Sequence, residues 1–330
     1  MKLKSVARFI CAYTILCLFY TLPELRAQHL IKQPAVGFIV KHDAPKAEAS
    51  ALELARFTLT EKAVVFFAHD NKTVAEKLSR SVAEEHVKNI HVIAKAGLPE
   101  HVRAIVVLGG DGTVLSAARL MTKRSVPILG INFGRLGFLA EIEPADARPL
   151  LQKIIHGERL PVREHMMCQA TLIRNKKSVF QGVAVNDVVI TRETPHVVGL
   201  DVFIDNQKAY DLYGDGIIVA TPTGSTAYSL SAGGPIVMPN MSTLILTPIC
   251  PHALTLRPLV ISGNSHVDIR LVQSTGKTYV TWDGQGEIDL QKGDVISVRR
   301  FAKHPVKIVS SPEHNYFGVL KEKLHFGAGS

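Results

Sequence analysis

The sequence runs to 330 residues, 46% of them hydrophobic and 20% charged, so it can bury a sizeable core and is expected to form two domains. A formal net charge of +9 with 14 histidines favours anionic partners: nucleic acid, a membrane surface or a polyphosphate-bearing small molecule. The basic residues are scattered, with tight pairs such as Lys176-Lys177 and Arg299-Arg300 but no basic stripe and no basic-aromatic interleaving, which argues against nucleic acid and for phosphate-bearing ligands.

Residues Met1 to Gln28 read as a targeting segment, with Lys2, Lys4 and Arg8 ahead of the apolar run Phe9 to Leu22 and an imperfect cleavage site at Leu25-Arg26-Ala27. The run is short for a transmembrane helix, so residues 1–33 are read as a leader, an N-terminal extension or a start placed upstream of the true one. The cysteines, Cys11, Cys17, Cys168 and Cys250, form no Cys-x-x-Cys pair and no zinc-spaced cluster, a pattern that suits a reducing compartment. Cys168 and Cys250 lie in apolar stretches and read as small core residues.

From Pro34 strand and helix alternate. The apolar run Val36 to Val40 predicts a strand, Ala47 to Leu59 a helix, Ala63 to Ala68 a strand and Thr73 to Val87 a helix. Strands at Ile105 to Leu108 and Val126 to Asn132 follow, with a helix from about Val114 to Met121 and another after Pro144. Residues 34–160 are therefore expected to form an α/β domain with a mostly parallel sheet and ligands at the carboxyl ends of its strands. Beyond Leu160 period-two segments dominate: Gln169 to Ile173, Val183 to Thr191, Leu200 to Ile204, His266 to Val272, Thr278 to Trp282 and Val295 to Val298. Residues 161–330 are expected to form an all-β, sandwich-like domain.

The stretch Asp215 to Pro235 carries the densest binding signal. An acidic turn leads into a β-branched strand, and then Thr221, Thr223, Ser225, Thr226, Tyr228, Ser229 and Ser231 stand among glycines, so small polar groups and amides can approach a ligand closely. The plainer reading is a loop joining two strands. Earlier, Gly109-Gly110-Asp111-Gly112-Thr113 follows a very apolar strand and opens a helix, where Gly109, Gly110, Gly112 and Thr113 can offer amides to the phosphates of a donor. It is neither a Walker A loop nor the spaced-glycine dinucleotide fingerprint. A carboxylate among phosphate-cradling glycines would repel the ligand, so Asp111 is expected to accept a proton from an attacking hydroxyl or to help hold Mg²⁺ through water; a capping Asp in a tight turn is the plainer alternative.

These motifs, with Gly130 to Leu139, Asn186-Asp187, Pro248 to His252 and Asp283-Gly284-Gln285 in the same order, make the chain resemble the NAD kinase family from about Pro34 to Phe326. Gly-Gly-Asp-Gly-Thr alone also resembles diacylglycerol and sphingosine kinases, which have little use for the later motifs. The resemblance implies phosphoryl transfer from ATP or polyphosphate to the 2′-hydroxyl of the adenosine ribose of NAD, giving NADP, with Mg²⁺ as cofactor and no protein side chain assigned to the metal. It makes Asp111 the proton acceptor, with Gly112 beside it against the dinucleotide. Asn186 and Asp187 match a ribose-binding pair, Asp215 faces the nicotinamide end, and Thr226, Ala227, Tyr228, Ser229, Leu230 and Ser231 match the adenosine-side segment. Tyr213, Cys250 and Gln285 fall at ligand contacts, as does His196 with a one-residue gap.

Asn186-Asp187 as a polar turn and Cys250 and Tyr213 as packing residues are the plainer readings, and Phe138 serves a base or the core equally well. Some members carry arginine where Tyr213 stands, a change that bears on the choice between oxidised and reduced dinucleotide. The resemblance implies a homodimer or homotetramer, while the paired substrates and the absence of paired cysteines in the body point to the cytoplasm, with a membrane contact only if the leader is retained. A lipid kinase and a non-catalytic NAD-binding sensor are the alternatives, and the presence of Asp111 counts against the sensor.

Overall fold

The computed structural model describes residues 33–134, 136–193, 197–311 and 315–326. The leader expectation, apart from residue 33, and the contact assigned to His196 lie outside the described residues.

The first half alternates as its apolar runs require. Strand β1 (Ala35–Val40) leads to helix α1 (Pro45–Thr60), β2 (Val64–Ala68), α2 (Lys72–Arg80), the one-turn α3 (Glu84–Val87), β3 (Ile90–Ile93) and the one-turn α4 (Leu98–His101). Then come β4 (Ala104–Leu108), α5 (Asp111–Ala118), β5 (Pro127–Ile131) and α6 (Pro144–His156). Helix α1 starts with Pro45 and carries Glu48 in its first turn, and it buries Ala47, Ala51, Leu54, Ala55, Thr58 and Leu59 as one stripe. Strand β4 is buried at every position because helices cover both faces of its sheet.

The second half contributes β6 (Val162–His165), β7 (Cys168–Arg174), β8 (Lys177–Ala184), β9 (Asp187–Arg192), β10 (Val198–Ile204), β11 (Gln207–Gly214), β12 (Gly216–Ala220) and α7 (Tyr228–Ser231). It continues through β13 (Thr243–Ile249), β14 (Leu259–Ser262), β15 (Val267–Gln273), β16 (Thr278–Trp282), β17 (Gln285–Leu290), β18 (Val295–Arg300), β19 (Val306–Val309) and α8 (Tyr316–Leu324).

Two six-stranded antiparallel sheets, ordered β11-β10-β15-β18-β7-β8 and β14-β13-β12-β9-β16-β17, enclose a core of Leu200, Val202, Leu212, Ile217, Val219, Leu246 and their neighbours. The expected α/β domain followed by β-sheets is the observed fold. The first sheet, β3-β2-β1-β4-β5-β19-β6, reaches past residue 160: β19 pairs parallel with β5 and antiparallel with β6, closing an edge that β5 would otherwise expose.

Two predicted elements are interrupted. The helix expected over Thr73 to Val87 breaks after Arg80, where the Ser81 hydroxyl turns back onto the Leu78 carbonyl. The strand expected over Val183 to Thr191 breaks between β8 and β9 because the amides of Val185, Asn186 and Asp187 bond to the Asp283 carboxylate instead of a ladder. Among the described residues no helix is long and apolar enough to cross a membrane.

Candidate active site

Two clusters flank helix α5. Asp111 is its first residue, directly after the Gly109-Gly110 turn that ends β4, and Arg119 follows its last, roughly 12 Å of helical rise away. Cβ atoms added at Gly110 or Gly112 would meet nothing within 4 Å, so amides at this helix start border open space.

The Asp111 carboxylate does not point freely into that space. Its Oδ1 accepts from the amides of Leu139 and Ala140, both at 3.0 Å, and its Oδ2 from the amide of Phe138 at 3.0 Å and from Lys323 Nζ at 2.9 Å. Burial pushes this carboxyl up, but the Ala140 and Leu139 amides and the Lys323 ammonium outweigh it and hold the group below the usual carboxylate range. Lys323 Nζ also lies 5.0 Å from the centroid of the Phe138 ring, which in turn packs 6.1 Å from Tyr316. A cavity of about 410 Å³ opens beside this cluster, lined by Lys46, Asn132, Gly134, Glu143 and Glu322 among others.

At the other end of α5, Arg119 Nη1 stands 3.8 Å from Asp283 Oδ2. Asp283 is buried, and its carboxylate accepts from the Val185, Asn186 and Asp187 amides at 2.7–3.2 Å, fixing the turn that carries the Asn186-Asp187 pair. Burial and then the Asp283 charge push Asp187 up to about 7. Burial raises Asp283 as well, but three amides and the Arg119 guanidinium oppose that rise, so of the two acids Asp187 is the more readily protonated. The same turn receives the Thr221 amide on the Asn186 carbonyl at 2.8 Å. Gly224 passes so close that a Cβ there would stand 2.1 Å from the Asn186 oxygen, so the Pro-Thr-Gly turn admits no side chain at that residue. Thr223 Oγ1 meets Nδ1 of the buried His165 at 3.0 Å, and burial drives that imidazole down to about 4.

A stability test follows from Asp187. Its folded pKa lies above its unfolded one, so the native state keeps a proton that the unfolded chain releases between about pH 4 and 7, and stability falls as pH rises through that window. Asp187→Asn removes this loss. The melting temperature of the variant relative to wild type is expected to rise from pH 4 to 7 and then level off; a constant difference contradicts the assignment.

Tyr228 opens α7 and is 45% exposed. Burial, then Cys250, Asp215, Tyr279 and Asp187, raise its phenol. Asp215 is held by Arg192, whose Nε lies 3.1 Å from its Oδ1, and Tyr213 stands exposed two residues earlier. The guanidinium at this turn thus comes from β9. Thr226, Ala227 and Leu230 are half-buried, and Ser231, Gln285 and Gly112 are exposed. Ser229 faces inward, fully buried with its hydroxyl 2.8 Å from Thr247 Oγ1, so only its main chain can face a ligand. Cys250 differs from its expected place in the core: it is exposed, because the buried run of β13 ends at Ile249 and the chain turns outward there through a left-handed residue with φ 43°.

Sequence reasoning missed Lys323, the amides of residues 138–140, Asp283 as an anchor, and Arg192. Asp283 had a local signal, an Asp-Gly turn in left-handed conformation. Lys323 had none, being 212 residues from Asp111.

With this geometry described, relatives can be compared. Residues 36–159 match the ATP-NAD kinase N-terminal domain and residues 185–311 the ATP-NAD kinase C-terminal domain. The NAD kinase of Thiobacillus denitrificans is 37% identical over 293 residues, spanning 88% of this chain and 97% of its own, and that of Aquifex aeolicus is 40% identical over 230 residues, spanning 69% and 83%. Yeast NADH kinase complexed with NADH superposes with a TM-score of 0.81 at 29% identity, over 90% of this chain and 89% of that one. An NAD kinase from Archaeoglobus fulgidus in complex with ATP shares the fold, with a TM-score of 0.62 at 24% identity over 87% and 98%. The order of motifs, both domain matches and relatives aligned over nearly their whole length place the chain in the NAD kinase family.

Proposed function

We propose that this NAD kinase transfers the terminal phosphoryl group of ATP to the adenosine 2′-hydroxyl of NAD, with Asp111 taking the hydroxyl proton. The observation that carries the reading is the Asp111 carboxylate, fixed at the start of α5 beside a glycine turn with open space around Gly110 and Gly112. Helix α5 offers its N-terminal amides to donor phosphates. Asn186 and Asp187 hold ribose hydroxyls, Tyr228 supplies the adenine platform, Asp215 faces the nicotinamide end, and Tyr213, Cys250 and Gln285 are further ligand contacts. Mg²⁺ is taken to arrive on the donor phosphates, which with water supply most of its oxygen ligands. Cytoplasmic ATP and NAD make the cytoplasm the place of action, and a homo-oligomer is the proposed assembly. The match of residues 185–311 to an NAD kinase domain disfavours the lipid kinase.

Incubation of the purified chain with NAD, ATP and Mg²⁺ is expected to give NADP in an NADP-specific assay, whereas diacylglycerol in a parallel reaction is expected to stay unmodified. The absence of NADP overturns the reading.

The platform role of Tyr228 predicts a particular pattern. Tyr228→Ala is expected to raise the Michaelis constant for NAD about fivefold, from roughly 1 kcal/mol of lost stacking, and to lower turnover because a loosened adenosine misaims its hydroxyl. The constant for ATP should move much less. If it rises while that for NAD stays fixed, the segment from Thr223 to Ser231 holds the donor instead.

A further inference from the structure

Each carboxylate oxygen presents about two lone-pair directions, and all four of Asp111 are in use: Oδ1 by two amides, Oδ2 by one amide and Lys323. A carboxylate so occupied has no acceptor site left for a substrate hydroxyl, so one partner must leave before Asp111 can act as a base. The three amides are the less mobile partners. Leu139 and Ala140 are buried, and the Gly137 amide bonds to the Ala140 carbonyl at 3.1 Å, tying the turn to itself. Lys323 is different, with an ammonium on four rotatable methylenes and a side chain 26% exposed, on a helix whose buried contacts come from Val319 and Leu320.

Glu322, the residue before Lys323, lines the cavity of about 410 Å³, and Lys46 lines the same cavity, so α8 forms a wall of the space at the carboxyl ends of the parallel strands. The groups facing Asp111 are Lys323 from α8 and Glu141 from the turn after β5, the latter paired with Arg163 of β6 at 3.0 Å. Lys323 is the cation in direct contact.

We propose that Lys323 masks Asp111 in the resting enzyme and is drawn onto the donor phosphates when they bind, so that the base is exposed only once the donor is in place. Lys323 is then a positioning residue with two partners, Asp111 before donor binding and a phosphate oxygen after it. The proposal rests on the reading of Asp111 as the proton acceptor. Its consequence is a coupling between two ligands: the donor unmasks an oxygen that NAD uses, and NAD favours the state in which Lys323 has left.

Calorimetric titration of NAD tests this, with and without an imido analogue of ATP plus Mg²⁺, on wild type and on Lys323→Met. In wild type the analogue is expected to tighten NAD by about fivefold or more, at the lower end of ordinary couplings. In Lys323→Met the affinity without analogue is expected to match that of wild type with it, the analogue is expected to add less than about twofold, and the Michaelis constant for ATP to rise about tenfold from one lost charge-assisted contact. Lys323→Arg, which keeps the charge, should retain coupling, and Lys323→Gln gives the same comparison if the Met variant does not fold. An unchanged coupling in the Met variant, or none in wild type, overturns the proposal; a lower melting temperature with coupling intact marks Lys323 as structural and overturns it equally. Wild-type protein that makes no NADP defeats the kinase reading instead, so the two failures are distinguishable.

Discussion

Asp111→Asn is expected to lower turnover by about 10²- to 10⁴-fold, with NAD binding weakened far less. On the proposed reading the substitution removes the charge that takes the hydroxyl proton, and it changes the environment of its neighbours. With the side-chain oxygen kept toward Leu139 and Ala140, the new amide nitrogen must face the Phe138 amide and the Lys323 ammonium, donor against donors. The native carboxyl sits below its usual range, so its strength as a base is modest, and the role proposed for it lies in being charged and fixed at the place where the hydroxyl would arrive. Steady-state kinetics with more than half of wild-type turnover would remove Asp111 from this role.

Gly137→Ala is expected to approach the same loss without altering a single polar group. A Cβ at Gly137 would stand 2.0 Å from Asp111 Oδ1, 2.8 Å from its Cγ and 3.1 Å from the Ala140 carbonyl oxygen. The Asp111 side chain is too short to swing aside while keeping its amides, so the carboxylate or the turn must shift by about 1 Å, a displacement that costs about 10²-fold in rate at a reacting centre. The steric cost to stability is about 1–3 kcal/mol, as for other overpacked sites. Turnover, far-ultraviolet circular dichroism and thermal melting together check this. Near-normal turnover in a folded variant shows that the turn at 137–140 does not set the position of Asp111.

The legible parts of this molecule were those whose causes are local. Strands β1, β2, β4 and β5 are apolar runs because both sheet faces are covered, and the glycine turn before α5 declares itself through residues that only a close backbone approach requires. Polar, edge-facing β11 and β17 carried little apolar period and went unread. The strand expected from Val183 to Thr191 shows why the rest was hidden: Asp283, about a hundred residues later, takes the amides that would have continued the ladder. The contacts of Asp111 are of the same kind. Its motif was readable, but the turn at 138–140 and the Lys323 ammonium reach it only through folding.

A crystal structure of the protein with NAD bound tests the central claim most directly. With an imido analogue of ATP and Mg²⁺ also bound, the account predicts the adenosine 2′-hydroxyl within about 3 Å of an Asp111 carboxylate oxygen, the reach of a general base, with the adenine against the Tyr228 ring and the ribose beside Asn186. A 2′-hydroxyl pointing away from Asp111, with the nicotinamide half occupying the space beside Gly110 and Gly112 instead, would contradict it.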